Sequence, residues 1–167
     1  MALTTFVKNF RDGKITIKDG TGTPLTYEVT YEPGDFTLTD PRYNYTTVLD
    51  RGEVGASAGG VRKTNKEPGS FSFSGYLLVA TDSNDLNLID AIKGTGAAAA
   101  WVSTGSVAFD RTLRTVVFEM EGSTPDGADS VFTCTLCAME VTINEGELTT
   151  INVEGVIYGE VTRTGPT

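Results

Sequence analysis

The last third of the chain carries the pattern that most constrains its fold. Between residues 148 and 161, apolar residues such as Ile151 and Val153 alternate with polar ones such as Asn152 and Glu154. A period of two with β-branched residues indicates a strand that is buried on one face only. The preceding segment, 131–143, has a similar composition. We therefore expect two long neighbouring strands, typical of a barrel wall or of a surface that meets other copies.

The apolar positions of 131–143 change face partway along the segment. Phe132 and Cys134 belong to one face, whereas Met139 and Val141 belong to the other. A regular strand keeps its faces, so the change predicts either a bulge near 137–139 or a strand that passes between two sheets. Both features are typical of a small β-barrel or a two-sheet β-sandwich.

The two cysteines, Cys134 and Cys137, have the spacing of a redox CxxC motif. That motif requires a helix N-terminus, which lowers the thiol pKa, whereas these residues lie in a predicted strand. Strand residues three apart are expected to point to opposite faces, ~10 Å from each other and too far for a disulfide. We interpret both as small core residues.

Composition excludes several kinds of chemistry. The chain has 167 residues, 22 acidic and 13 basic side chains, a net charge of −9 and no histidine. The absence of histidine excludes histidine-activated nucleophiles and histidine metal ligands. The negative net charge indicates that the chain lacks the basic surface of a nucleic-acid binder. The glycines of 52–60 fit no phosphate-binding motif, and the carboxylates Asp50 and Glu53 are interpreted as solvated rather than catalytic. We expect no enzyme, no metal and no cofactor.

The rest of the chain predicts one mainly β domain, 1–167, with a single helix. We expect strands at 14–18, 70–80 and 113–121, a β-hairpin over 25–39, and a helix over 83–93 capped by Asp82 or Ser83. Alternation in the hairpin places Leu25 and Tyr27 on the inward face. The helix should lie over one end of the β-core.

Two segments fit the core poorly. Residues 40–69 are long for a loop, and Tyr43 and Tyr45 give them apolar area to bury, so we expect an extended loop or a splayed hairpin that orders against a partner. Residues 1–14 are either a flexible terminus or an arm that packs on a neighbour through Phe6, Val7 and Phe10. The chain has no apolar run of membrane-spanning length and no signal peptide, which predicts assembly in a cytoplasm.

This order of elements resembles the tail tube (major tail) proteins of tailed bacteriophages, which share a fold with the tube proteins of type VI secretion systems. The resemblance covers nearly the whole chain and is a diffuse likeness rather than a short motif. Four stretches carry it: the hairpin 25–39, the loop around 48–55, the strand and helix of 71–96, and the final segments 144–151 and 156–159.

The resemblance implies a β-sandwich or barrel whose copies form hexameric rings, stacked into a hollow tube. It implies a virion tail assembled in the bacterial host cytoplasm, and DNA that passes through an acidic lumen without specific binding. Partners would be other copies of the chain, tape-measure and tail-tip proteins, and, as an open alternative, a sheath.

The resemblance also assigns candidate site residues. The loop 40–69 would bridge subunits or rings, and 1–14 would be a bridging arm. The lumen-facing candidates are Glu28, Glu32, Glu154 and Glu160. The loop candidates are Tyr43, Tyr45, Val48, Leu49, Asp50, Arg51, Glu53, Arg62 and Lys63.

Two alternatives remain open at this point. One is a monomeric β-sandwich binding module, either carbohydrate-binding or adhesin-like, in which exposed tyrosines would cluster on one patch. The other is a type VI secretion tube protein. The sequence does not distinguish a contractile from a non-contractile tail.

Overall fold

One antiparallel β-sheet of eight strands is the largest element in the described part of the protein. The computed structural model describes residues 13–29, 36–47, 61–76, 85–105, 112–120, 130–145 and 149–165, and the backbone alone of 49–50 and 53–54. The strands are β1 (Lys14–Lys18), β2 (Thr26–Val29), β3 (Thr37–Thr39), β4 (Arg42–Thr47), β5 (Leu49–Asp50), β6 (Glu53–Val54), β7 (Val61–Glu67), β8 (Gly69–Tyr76), β9 (Leu113–Met120), β10 (Ser130–Asn144), β11 (Thr150–Ile157) and β12 (Val161–Thr164). A short helix, α1 (Leu88–Lys93), and a 3-10 turn at Gly96–Ala98 complete the described elements.

The large sheet curls around a single core. Its strand order is β2-β1-β9-β10-β11-β8-β3, with β12 also paired to β10. Although β10 and β11 lie between β8 and β9, the Phe71 ring of β8 meets the Phe118 ring of β9 edge-on, at 5.5 Å between centroids. The ring of Phe36, just before β3, packs on the Phe118 ring with 4.1 Å between centroids. The prediction of a mainly β sandwich with one short helix is confirmed.

Glycine at position 155 permits this packing. Gly155 of β11 lies directly opposite Phe71 of β8, and a Cβ at Gly155 would overlap the Phe71 ring. A side chain there would displace a ring that also stacks on Phe73 and contacts Phe118. Close packing of this kind makes even one added methyl group costly.

The predicted bulge lies in β10, slightly before its expected position. The register between β9 and β10 shifts between Cys134 and Cys137, and Leu136 has a φ of 53°, in the left-handed region. Cys134 lies opposite Val116 and Cys137 opposite Arg114. Because those partners are two residues apart, both cysteines are on the same face. The expectation of opposite faces was wrong, since the bulge supplies the extra residue; both thiols are fully buried, as predicted for core residues.

The long second strand predicted over 148–161 is interrupted. β11 ends at Ile157 and β12 begins at Val161, and the break lies opposite the bulge. Thr135 holds it through four hydrogen bonds. Its amide donates to the Glu160 carbonyl (3.1 Å) and its carbonyl accepts from the Gly159 amide (3.2 Å). Its hydroxyl accepts from the Glu160 amide (3.0 Å) and donates to the Glu160 carbonyl (3.3 Å). The distortion of one strand is thus matched by a break in its partner.

Two local predictions were wrong. Strands β2 and β3 do not form the hairpin expected over 25–39, because β2 pairs with β1 and β3 with β8, at opposite ends of the strand order. The helix begins at Leu88 rather than near Ser83, because the Asn87 side chain accepts a hydrogen bond from the Asp90 amide and caps it there. It ends as predicted after Lys93, with Gly94 in the left-handed conformation.

A buried carboxylate, Asp19, organises the turn between β1 and β2. It accepts hydrogen bonds from the Leu25 amide (2.8 Å), the Val102 amide (3.3 Å) and both the amide and the hydroxyl of Thr21. These bonds hold Leu25 in a turn where its side chain is 48% exposed, although alternation predicted it to face inward. Burial opposes ionisation of Asp19, but the hydrogen bonds outweigh it and lower the pKa of this carboxyl.

Replacing Asp19 with asparagine is expected to destabilise the protein by about 1–3 kcal/mol at pH 7, because an amide group provides only one oxygen for these donors. A carboxyl group with a lowered pKa stabilises the fold above its unfolded pKa, near 3.8, and this stability is lost as the pH falls through the folded value. Urea unfolding of the parent and the variant from pH 7 to pH 3 should therefore show that the difference between their free energies of unfolding shrinks below about pH 4. A difference that stays constant to pH 3 would contradict this role.

A fully buried arginine, Arg114, joins the helix to the sheet. Its Nε atom donates to the Ala91 carbonyl (2.8 Å) and its Nη1 atom to the Val102 carbonyl (2.9 Å). The guanidinium lies 5.4 Å from the centroid of the Trp101 ring, which packs against the core. Desolvation lowers the pKa of Arg114, while Asp19 opposes the shift. This side chain fixes α1 over the sheet, as the apolar stripe of the helix predicted.

Candidate functional site

Half of the large sheet presents a polar outer face. In β3, β8, β11 and the second half of β10, alternate side chains point away from the core. One row across the four strands reads Thr37, Ser72, Glu154 and Glu140, each directly opposite the next. We call the outward set the polar face; it comprises Thr37, Thr39, Ser70, Ser72, Ser74, Tyr76, Ala138, Glu140, Thr142, Asn144, Thr150, Asn152, Glu154 and Val156.

The polar face is acidic, and most of its side chains are small. It contains no lysine or arginine, and its two charged groups, Glu140 and Glu154, are both exposed. Hydrogen bonds join neighbouring strands across it, between the Thr37 and Ser72 hydroxyls (2.7 Å) and from Ser74 to Asn152 (2.8 Å). A shallow cavity of about 400 Å³ opens on the face beside the two carboxylates. Such a surface repels anions and offers few groups that could hold them.

Both strands that border this half of the sheet have a free edge within the described residues. β3 pairs with β8 alone. The pairing of β9 with β10 ends at Leu113 and Ala138, so the segment from Met139 to Asn144 is paired only with β11. Unpaired strand edges carry backbone donors and acceptors that another strand can bind.

Grooves that contain apolar side chains lie beside both free edges. Beside β10, a cavity of about 400 Å³ is lined by the apolar residues Ile92, Met139 and Val141 and by the polar residues Lys93, Thr112 and Glu140. Beside β3, a cavity of about 280 Å³ is lined by Phe36, Leu38, Asp40, Met120 and Phe132. Each edge therefore combines open backbone groups with incompletely covered apolar side chains.

Strands β4 and β7 form a two-stranded ribbon, so the predicted stretch 40–69 is a hairpin rather than an extended loop. Nearly all of its side chains are exposed, including Tyr43 (40%), Tyr45 (64%) and Val61 (48%). The two strands carry four basic residues and one acidic residue, Glu67, a net charge of 4 − 1 = +3 within a chain of net charge −9. An exposed two-stranded ribbon is marginally stable by itself, which favours a partner surface.

The structure brings some predicted site residues together and separates others. Tyr43, Tyr45, Arg62 and Lys63 all lie on the ribbon, and the Lys63 ammonium sits 3.7 Å from the centroid of the Tyr43 ring. The backbones of Leu49, Asp50 and Glu53 belong to the short pair β5–β6. Val48, Arg51, Glu32 and the arm residues Phe6, Val7 and Phe10 lie outside the described residues.

The three described lumen candidates do not form one surface. Glu154 is on the polar face, whereas Glu28 is on β2, which is three strands from β10, the nearest strand of that face. The Glu28 carboxylate pairs with the Lys14 ammonium at 2.8 Å. Glu160 is exposed in the break between β11 and β12. Sequence reasoning missed Glu140, the direct partner of Glu154, although its place between the inward residues Met139 and Val141 already marked it as outward-facing.

The described residues contain no group of three or more metal-ligating side chains. The described helices are also too short and insufficiently apolar to cross a membrane.

Comparison with known proteins gives a result at the level of structure alone. No protein-family model matches the chain, and no curated protein sequence matches it. Solved structures do match: a chain in the tube-terminating cap of the anti-feeding prophage has a TM-score of 0.55 and 7% identity, over 99% of this chain and 95% of that one. The chain therefore shares its fold with a chain of that cap.

Two further structures of the same kind agree. A chain of the PVC sheath–tube complex, from an extracellular contractile injection system in the extended state, matches with a TM-score of 0.54 and 7% identity, over 92% of this chain and 89% of that one. A chain of the six-fold symmetrised baseplate of the anti-feeding prophage matches with a TM-score of 0.54 and 9% identity, over 99% and 98%. The predicted resemblance to tail proteins is thus confirmed for the fold.

Proposed function

We propose that this protein is a structural subunit that assembles with its own copies into stacked, six-membered rings. The rings form the tube of a phage tail or a phage-like injection particle, and DNA passes through the tube during ejection. The polar face is the observation that carries this proposal, because it is a broad four-stranded surface without a basic side chain. The fold shared with the tube, cap and baseplate structures supports it.

In this proposal the polar face lines the tube. Glu140 and Glu154 of every copy would place carboxylates at one level of the lumen, between rows of hydroxyl groups. Like charges repel, so DNA would meet a wall that offers no cation for its phosphates. Glu154 is the lumen candidate that the geometry favours, and Glu140 joins it.

The free edges provide a route to ring closure. Neighbouring strands in β3-β8-β11-β10 are antiparallel, so the first and fourth strands run in opposite directions. Rotation about a tube axis preserves strand direction along that axis. The free edge of β10 in one copy would therefore meet β3 of the next in antiparallel orientation, as a heterologous contact that closes a ring.

The two grooves support the same contact. Strand addition at both edges would bring Met139 and Val141 of one copy towards Phe36 and Leu38 of the next, on the core side of the extended sheet. Burial of these partly exposed side chains would add to the backbone hydrogen bonds.

The ribbon is proposed to join successive rings, with the segment 1–14 as a further bridging arm. Its exposed tyrosines and its net positive charge are suited to the acidic body of another copy. Tape-measure and tail-tip proteins, and a sheath where one is present, would be the other partners in the virion or particle. The subunit is proposed to reach this location from the cytoplasm of the bacterial host.

Electron microscopy of the purified protein tests the proposal most directly. We expect negative-stain images at high concentration to show six-fold rings or hollow tubes, and size-exclusion chromatography to show a shift from the monomer. Assembly should also fall with added salt, because charge complementarity between ribbon and body is screened. A monomer at all concentrations, with or without a tail-tip complex, would reject the proposal and leave the binding-module alternative.

A further inference from the structure

The ribbon contacts the body of the protein at the break between β11 and β12. The Lys66 Nζ atom donates a 2.9 Å hydrogen bond to the carbonyl oxygen of Gly159. Other side-chain hydrogen bonds of the ribbon are internal, since Arg42 and Asn44 both donate to Glu67. Lys66 therefore links a projecting element to the sheet.

The acceptor of this bond has a fixed position. The Gly159 amide is bound to the Thr135 carbonyl, and a Cβ at Gly159 would overlap Thr135, so glycine alone fits there without rearrangement. The neighbouring Glu160 is bound to Thr135 by three more hydrogen bonds. The bulge of β10 thereby holds the Gly159 carbonyl as a rigid anchoring point.

Aromatic and acidic groups lie near the Lys66 ammonium group. A cavity of about 240 Å³ at the base of the ribbon is lined by Asp40, Tyr43, Lys66 and Glu160, among others. The Tyr43 ring lies 6.0 Å from the Lys66 Nζ atom, and two carboxylates share the same cavity wall. An aromatic face and acidic groups both stabilise a cation.

We propose that the Lys66–Gly159 hydrogen bond is a latch that holds the ribbon at one angle to the body before a partner copy arrives. A projecting ribbon without such a contact would sample many angles, and docking would have to overcome that entropy. The latch fixes the ribbon in advance and thereby strengthens its docking. The docking part of this inference rests on the proposed function, whereas the ribbon angle is a property of the isolated subunit.

The ribbon angle can be measured with paired spin labels in the monomeric protein. The labels are placed at Thr46→Cys on the ribbon and Thr26→Cys on β2, both of which are exposed. The native thiols do not compete, because both are fully buried and burial raises the pKa of Cys134 to about 12 and that of Cys137 further. Lys66→Met removes the donor, Lys66→Arg keeps one, and Arg62→Met removes the same charge elsewhere on the ribbon.

We expect a narrow distance distribution in the parent, in Lys66→Arg and in Arg62→Met, and a distribution at least about twice as wide in Lys66→Met. Equal widths in Lys66→Met and the parent would overturn the latch. We also expect Lys66→Met to raise the concentration needed for ring formation about fivefold. If Lys66→Met broadens the distance distribution but leaves assembly unchanged, the role of the latch in docking is overturned. If the parent protein never assembles, the proposed function is overturned, while the distance distributions still decide whether the latch exists.

Discussion

Replacing Ile143 with lysine is expected to abolish ring formation and to leave the subunit folded. Ile143 lies near the end of β10, on the free edge and on the core side of the sheet, and it is 53% exposed. In the isolated subunit a lysine there keeps its ammonium in water, so the free energy of unfolding should change by less than about 0.5 kcal/mol. In a ring the same charge would be buried against the β3 strand of the next copy without a partner.

The expected cost of that burial is about 3–5 kcal/mol at each interface, which corresponds to more than a hundredfold loss of affinity. Sedimentation velocity would measure the assembly, and urea unfolding would verify the fold. Val156→Lys is the matched control, because Val156 is 37% exposed on the polar face of the same half-sheet. The control should still form rings; rings formed equally well by Ile143→Lys would contradict pairing through the β10 edge.

Replacing Arg114 with alanine is expected to lower the free energy of unfolding by about 3–5 kcal/mol. The change opens a cavity under α1 and removes the donor of the Ala91 carbonyl, which is close to the helix C-terminus. The Val102 carbonyl is less affected, because it also accepts a hydrogen bond from the Gly20 amide at 2.9 Å. The lost packing against Trp101 adds to the cost.

Arg114→Met separates the cost of the cavity from the cost of the lost hydrogen bonds, since methionine fills much of the space but donates no hydrogen bond. We expect a loss of about 1–2 kcal/mol for this variant. Arg163→Ala, which removes an exposed arginine, should change stability by less than about 1 kcal/mol. Urea denaturation at pH 7 measures all three proteins, and a loss below 1 kcal/mol in Arg114→Ala would show that the buried guanidinium does not hold the helix.

Local patterns predicted the strands well and their pairing less well. Alternation located β1, β8 and β11, because a strand with one buried face repeats every two residues whatever its neighbours are. It could not decide that β2 and β3 lie at opposite ends of the sheet, since both alternate and the sequence between them contains Pro-Gly, which is typical of a hairpin turn. Pairing depends on which distant residues complete the core, and a single sequence does not contain that information.

In the candidate site too, features that depend on local sequence were predicted and features that depend on strand pairing were not. The segment 40–69 was predicted to stand apart from the core because it has no clear core face, and Tyr43 and Tyr45 are exposed in the isolated subunit. That they become buried against a partner stays a prediction. The pairing of Glu140 with Glu154 was not predicted, because it depends on the register between β10 and β11. The start of the helix was missed for a local reason: several capping residues compete between 82 and 87, and Asn87 is the one that bonds to the helix.

The bulge in β10 also affects how this chain can be compared with others. Before it, the inward residues have even numbers, as in Phe132 and Cys134; after it they have odd numbers, as in Cys137 and Met139. An alignment with a relative whose strand is regular must open a gap of one residue at the bulge. Without that gap, every buried position from there to the end of the strand is matched with an exposed one, and true correspondence is scored as dissimilarity.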